Sequence, residues 1–258
     1  FADKNAGTGK SINVAGLSLA GADAGNYSVG ALSATADITT KALTVSYTGT
    51  NKVYDGATSA TVTGSAAGVV GGDTVSFNQS AAFTNKNAGT GKTVNVTGIS
   101  LGGVDAGNYS LQNTTATTSA DITPKALSIT GVSASNKVYD GMTAAVLTGT
   151  AGLSGVVGSD AVSVSGSASG AFANKNVGTG KAVTVSGFSL GGGDAGNYTL
   201  TLPGLSADIT PKALTASFIG TNKVYDATTS ATVTGGSSAI VGGDAVTFSE
   251  SAAFTNKN

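Results

Sequence analysis

The sequence predicts an all-β protein made of tandem β-sandwich repeats. Three observations carry this. The chain repeats itself at intervals of 82 to 89 residues, a period that suits a small domain and exceeds a solenoid rung. Short runs alternate apolar and polar residues between clusters of Gly, Asn and Asp. No segment shows a helical apolar period with capping residues at its ends.

The repeat shows in five motifs. Asn-Lys-Val-Tyr-Asp occurs at Asn51–Asp55, Asn136–Asp140 and Asn222–Asp226. Asp-Ala-Gly-Asn-Tyr occurs at Asp23–Tyr27, Asp105–Tyr109 and Asp194–Tyr198. Ala-Asp-Ile-Thr starts at Ala36, Ala120 and Ala207, and Lys-Ala-Leu follows at Lys41, Lys125 and Lys212. Phe-x-x-Lys-Asn starts at Phe1, Phe83, Phe172 and Phe254. The phase divides the chain into the back part of a repeat at 1–40, complete repeats at 41–123 and 124–210, and the front part of another at 211–258. This pattern is expected of a window cut from a longer array, with strand edges open in the partial repeats.

Within the repeat 41–123, Ala42–Tyr47, Ala60–Thr63, Thr74–Phe77 and Thr93–Thr97 alternate as half-buried strands, with Ile99 and Leu101 extending the last. Tyr109–Leu111 and Ser119–Ile122 close the unit. Asp55-Gly56, Gly71-Gly72-Asp73, Asn87–Gly91 and Gly102-Gly103 supply turns, because glycine accepts positive φ and Asn or Asp closes local hydrogen bonds. Asp105-Ala-Gly107-Asn-Tyr109 resembles the tyrosine corner of immunoglobulin-like domains. On that reading Asp23, Gly25 and Tyr27, with Asp194, Gly196 and Tyr198, lock the fold of their own repeats in the same way. A β-grasp unit is the alternative. Pro124 and Pro211 mark short joints between repeats, with Thr40 in the equivalent place at the first joint. Joints this short imply an elongated, stiff rod.

Composition excludes several functions. The chain of 258 residues has no Cys, His, Trp or Arg, only 10% charged residues and a net charge of −1. Disulfides, thiolate metal sites and histidine-based catalysis are therefore impossible. Nothing forms a basic patch for nucleic acid, and no apolar run is long enough to span a membrane as a helix. Glycine reaches 39 residues, and Thr, Ser and Ala fill positions where a cytosolic domain usually carries charge.

Tyr54-Asp55-Gly56 and Tyr139-Asp140-Gly141, with Asp-Ala-Gly-Asn-Tyr and Ile-Thr-Pro-Lys-Ala-Leu, resemble the YDG repeats, grouped with the mostly-beta glycine-rich (MBG) repeats of bacterial haemagglutinin-like surface proteins. Tyr225-Asp226 continues the signature, with Ala227 in place of glycine, a change expected to alter a turn. The resemblance covers every copy. It implies secretion to the bacterial surface, tandem arrays and an adhesive or stalk role, with no established catalytic site.

All 13 lysines and 12 of the 14 acids fall at repeat positions. The plain reading is ion pairs at the surface and turn-forming aspartates. Calcium on Asp73, Asp105 or Asp140 is an alternative, although the acids stand singly and calcium takes six to eight oxygens. A lysine–asparagine isopeptide bond would join Lys52 or Lys125 to Asn108 with Asp121 as proton shuttle. Lys86–Thr93 approximates a phosphate loop, lacks its first glycine and reads as a hairpin turn. Phe83 and Phe172 read as core, and Tyr54 and Tyr139 as core or sugar-stacking platforms. The expectation is a structural adhesin segment that is not an enzyme, binds no cofactor and is found outside the cell. Its first partners are neighbouring repeats. The alternatives are weak glycan or protein sites acting by avidity, and self-assembly with other copies into matrix filaments.

Overall fold

The computed structural model describes residues 1–30 and 32–256; Lys257 and Asn258 of the fourth Phe-x-x-Lys-Asn motif lie outside them. The chain is all-β. Among the described residues the helical elements are three-residue 3-10 turns, Ala24–Asn26, Ala106–Asn108 and Ala195–Asn197, one at each Asp-Ala-Gly-Asn-Tyr motif. The chain forms two compact units, Phe1–Lys125 with Gly196–Tyr198, and Ala126–Ala195 with Thr199–Asn258.

The first unit opens with an antiparallel pair, β1 (Gly7–Asn13) and β2 (Ser33–Ile38). Eight strands follow: β3 (Lys41–Leu43), β4 (Ser46–Thr50), β5 (Lys52–Val53), β6 (Thr61–Ser65), β7 (Ser76–Phe83), β8 (Gly89–Gly102), β9 (Tyr109–Leu111) and β10 (Thr115–Thr123). They pair as a four-stranded sheet in the order β5-β10-β8-β7 and as the pairs β3-β9 and β4-β6. β5 runs parallel to β10, with Lys52 opposite Ile122, and β3 runs parallel to β9.

Alternation places Val94 and Val96 of β8 inward, both fully buried. Gly98 then takes φ +64°, and β8 places two residues against Gln79 of β7. This bulge resets the pleat, so Ile99 also faces the core. Leu43, Val45, Tyr54, Phe83 and Ile122 are buried with them. Each such side chain contributes about 1.5–3 kcal/mol by leaving water. Gly49 of β4 lies so close to β10 that an added Cβ would stand 2.6 Å from the Ser119 carbonyl oxygen. The small residue sets how closely the two strands pack.

The second unit contains β11 (Lys125–Ala134, from its second residue), β12 (Lys137–Val138), β13 (Ala144–Ala145), β14 (Leu147–Ser154), β15 (Ser163–Ser165), β16 (Ser169–Phe172), β17 (Gly178–Ser186), β18 (Ser189–Gly191), β19 (Tyr198–Thr201, from its second residue) and β20 (Leu205–Thr210). It ends with β21 (Ser217–Thr221), β22 (Ser230–Gly236) and β23 (Ala252–Ala253). The main sheet is β12-β20-β17-β16-β13, and β21-β22-β23 form a separate sheet. The parallel pair recurs, with Lys137 opposite Ile209. Phe172, Val183, Ala207 and Ile209 form the core under this sheet, with Tyr139, Leu147 and Leu205 packed on it.

Equivalent residues differ sharply between complete and partial repeats. Tyr109 and Tyr198 are each 6% exposed, whereas Tyr27 is 73% exposed; Tyr54 is 1% exposed, whereas Tyr225 is 74% exposed. Among the described residues no helix is long and apolar enough to cross a membrane.

Candidate functional site

The Tyr-Asp-Gly signature forms a turn closed around a lysine. Lys52 Nζ donates to Asp55 Oδ1 at 2.8 Å and to the carbonyls of Ala57 and Ser59, and the Ala57 N–H donates to the same Asp55 oxygen. The ammonium also lies 5.6 Å from the Phe83 ring centre. Lys137 repeats this with Asp140, the carbonyls of Met142 and Ala144, and Phe172. Lys223 repeats it with Asp226, Thr228 and Phe254. The lysine, then the backbone N–H, holds the Asp55 and Asp140 carboxyls below the usual range and Asp226 down to about 2. Gly56 and Gly141 both take φ +79° at the end of this motif. Ala227 takes φ +63° there, so the turn expected to change with alanine keeps its left-handed backbone. Lys223 and Thr228 hold Asp226 and overcome alanine's steric preference.

A second motif pair fixes the last strand. The Asn51 side-chain oxygen accepts the Asp121 N–H at 2.7 Å, and Asp121 Oδ1 accepts the Gly91 N–H at 2.7 Å. Asn136, Asp208 and Gly180 repeat both bonds, and Asp37 accepts from Gly9. Gly9, Gly91 and Gly180 all lie near φ +60°, and each sits where the strand register shifts. Gly-Thr-Gly-Lys is thus a bulge inside a strand, and the hairpin turn precedes it at 84–88. The left-handed glycine points its N–H at an aspartate, which leaves no phosphate cradle.

In Asp-Ala-Gly-Asn-Tyr, the Tyr109 hydroxyl accepts the Val70 N–H at 2.9 Å and donates to Asp73 Oδ2 at 2.7 Å. Asp105 Oδ2 accepts the Thr74 N–H, and Asp194 Oδ2 accepts the Ala161 N–H. The motif therefore ties its own 3-10 turn to the Gly-Gly-Asp turn, or to its counterpart, earlier in the repeat. An added Cβ would meet nothing at Gly25, Gly107 or Gly196, and none of them has positive φ. Pro124 alone separates β10 from β11, and Pro211 directly follows β20.

The same turn receives a lysine from the preceding repeat. Lys4 Nζ lies 2.7 Å from Asp73 Oδ1 and 3.5 Å from Asp105 Oδ1. Asn108 Oδ1 accepts the Ala6 N–H at 2.8 Å, and the buried Asn197 accepts the Ala88 N–H in the same way. In the second unit Lys175 Nζ lies 2.7 Å from Asp244 Oδ1, while the Tyr139 hydroxyl donates to Asp244 Oδ2 at 2.7 Å. Lys4 and Tyr109 lower the Asp73 carboxyl, and Lys175 and Tyr139 lower Asp244. Asp73 in turn raises Lys4, and Asp244 raises Lys175. Gly141 packs against the next repeat, where an added Cβ would stand 2.7 Å from Val241 Cγ1.

These contacts bear on the chemistry considered from sequence. A lysine amine lies between Asp73 and Asp105, and Asp140 is held by Lys137. Among the described residues no three metal-ligating side chains cluster. Lys52 engages Asp55, Asn108 engages Ala6, and Asp121 engages Gly91 and Asn51, so these three isopeptide candidates each have a different partner. Phe83 and Phe172 are buried, and Tyr54 is packed inside.

The sequence profile of the YDG domain matches residues 1–36, 39–118, 123–206 and 210–258, nearly the whole chain. The chain belongs to the YDG domain family. Comparison with curated proteins and with solved structures returned no match. In these YDG repeats, sequence reasoning missed the cross-repeat lysine. Lys4 to Asp73 and Lys175 to Asp244 are both separations of 69 residues, a recurrence that the repeat itself produces and that marks no contact until the repeats pack.

Proposed function

We propose that these YDG repeats form a structural, non-enzymatic stalk segment of a secreted bacterial surface adhesin. The observation that carries the reading is the repeated joint: Lys4 with Asp73 and Lys175 with Asp244, each with a tyrosine hydroxyl on the same carboxylate. A repeat that invests the same side chains in gripping its neighbour is suited to transmitting load and holding spacing. Single exposed ion pairs contribute little. Across the first joint the Ala6–Asn108 bond accompanies the Lys4 pair, and across the second the Tyr139–Asp244 bond accompanies the Lys175 pair, so bending would break several contacts together. A low charge content and a chain without cysteine suit an extracellular bacterial setting.

Small-angle X-ray scattering of the 258-residue chain, extrapolated to low concentration, tests this. A stiff, elongated particle is expected, with glycan and host-cell binding assays negative. A flexible or compact particle overturns the stalk reading. Saturable glycan binding by the monomer would assign the repeats an adhesive role instead.

A further inference from the structure

The first and last segments of the complete repeat, 41–54 and 109–123, lie side by side and run the same way. Lys41, Ala42 and Leu43 of β3 pair in parallel with Tyr109, Ser110 and Leu111 of β9, and the Gln112 N–H donates to the Leu43 carbonyl at 2.8 Å. The Asn113 side chain continues the ladder: its oxygen accepts the Val45 N–H at 2.9 Å and its amide donates to the Val45 carbonyl at 3.0 Å. β4 then passes β10 at Gly49 and Ser119, too close to admit a Cβ. Beyond it the Asn51 side-chain oxygen accepts the Asp121 N–H, and Lys52 and Val53 pair in parallel with Ile122 and Thr123. The Tyr54 N–H closes the row on the Thr123 carbonyl at 2.8 Å. Val45 and Asn113 are separated by 68 residues and Asn51 and Asp121 by 70, so the two segments stay nearly in register throughout.

This arrangement decides how the repeat meets tension. The chain enters at Lys41, the start of the first segment, and leaves at Thr123, the end of the last. Because the segments are parallel, pulling these two points apart slides one along the other. A slide of one residue, about 3.3 Å, takes every donor off its acceptor at once. An antiparallel pair pulled from its open end instead parts one bond at a time. We propose that the first and last segments of the YDG repeat form a shear clamp that bears tension along the chain, with Asn51 and Asn113 as its side-chain staples. The role rests on the stalk reading, in which the array is held at one end and pulled at the other. The second unit repeats the far half of the clamp. There Asn136 accepts the Asp208 N–H at 2.7 Å, Lys137 and Val138 pair in parallel with Ile209 and Thr210, and the Tyr139 N–H donates to the Thr210 carbonyl at 2.9 Å.

Single-molecule force spectroscopy of the 258-residue chain tests the clamp by direction of pull. The chain has no cysteine, so a pair of introduced cysteines fixes the two points of attachment. Thr40→Cys with Pro124→Cys loads the clamp lengthwise, from exposed positions on either side of the repeat. Gly71→Cys with Val104→Cys instead draws β7 and β8 apart from their open end at Ser76 and Gly102. Val104 is 89% exposed and an added Cβ at Gly71 meets nothing, so the fold tolerates both handles. The lengthwise pull should need several times the force of the crosswise one. Asn51→Ala and Asn113→Ala should each lower the lengthwise force and leave the crosswise force unchanged, whereas a general loss of stability would lower both.

Equal forces in the two directions overturn the proposal. So does a lengthwise force that both asparagine variants leave unchanged, or a loss that is the same in both directions. Scattering separates this outcome from the stalk reading. A stiff rod that yields easily lengthwise removes the clamp alone, and a flexible or compact particle with a strong lengthwise lock removes the stalk alone.

Discussion

Lys175 and Asp244 meet at 2.7 Å across 69 residues of chain, and Lys4 and Asp73 make the same contact at the same distance and separation. In both places the second carboxylate oxygen accepts a tyrosine hydroxyl, from Tyr139 in one case and Tyr109 in the other. The carboxylate of the Gly-Gly-Asp turn is thus the point where a repeat binds its predecessor. Its donors differ because Tyr139 belongs to the preceding repeat and Tyr109 to the same repeat as Asp73. One acceptor serves both the folding of a repeat and its attachment.

Tyr109→Phe should lower the urea midpoint of the chain. It removes the acceptor of the Val70 N–H and the donor to Asp73, leaving backbone and carboxylate short of partners. Tyr27→Phe is the internal comparison, because Tyr27 is exposed and its loss should leave the monomer's midpoint unchanged. Equal midpoints for the two variants would mean that the Tyr109 hydroxyl contributes nothing to the fold.

Gly91→Ala should destabilise its repeat by about 1–2 kcal/mol, the penalty for a Cβ in the left-handed region. Gly91 sits at φ +59° with nothing within 4 Å of an added Cβ, so crowding adds no further term. Chemical denaturation measures this directly. A variant as stable as the parent would show that the bulge relaxes to another backbone conformation.

The all-β class and the buried Phe83 and Phe172 were legible because alternation and turn chemistry are local. The lysine partners were not. Lys52 pairs three residues away with Asp55, which spacing could suggest, but Lys4 and Asp73 meet only once two repeats pack. The Gly-Thr-Gly-Lys bulge was read as a turn because glycine marks both. Only the Asp121 carboxylate on the Gly91 N–H separates them. Ala227 shows the same limit: a turn assigned by residue type survives a change of type when Lys223 and Thr228 still hold Asp226.

Ala227→Gly should stabilise the chain by about 1 kcal/mol, because alanine at φ +63° carries a steric penalty that glycine lacks. Gly141 shows the turn already in its glycine form, at φ +79°. Thermal unfolding should show a higher midpoint for the variant. An unchanged midpoint would indicate that the segment unfolds before the transition that limits the chain.

Acid should destabilise the protein over a window that the aspartates define. Lysine partners lower the carboxyls of Asp55, Asp73, Asp140, Asp226 and Asp244 from 3.8, Asp226 to about 2. A carboxyl with a lowered folded pKa binds protons less readily in the folded state than in the unfolded state. Its stabilisation is complete above about 4 and is lost as pH falls through the folded value. Lys4 and Lys175 are raised above 10.5, so their contribution is complete below that value and lost as pH rises through the folded one. The chain has no histidine, so side-chain titration leaves stability flat between these limits. Urea midpoints measured from acid to neutral pH should therefore hold level down to about pH 4 and fall steadily toward pH 2. A midpoint that begins to fall near pH 6 would contradict the lowered carboxyls, and one that never falls would mean that the lysine–aspartate pairs do not stabilise the fold.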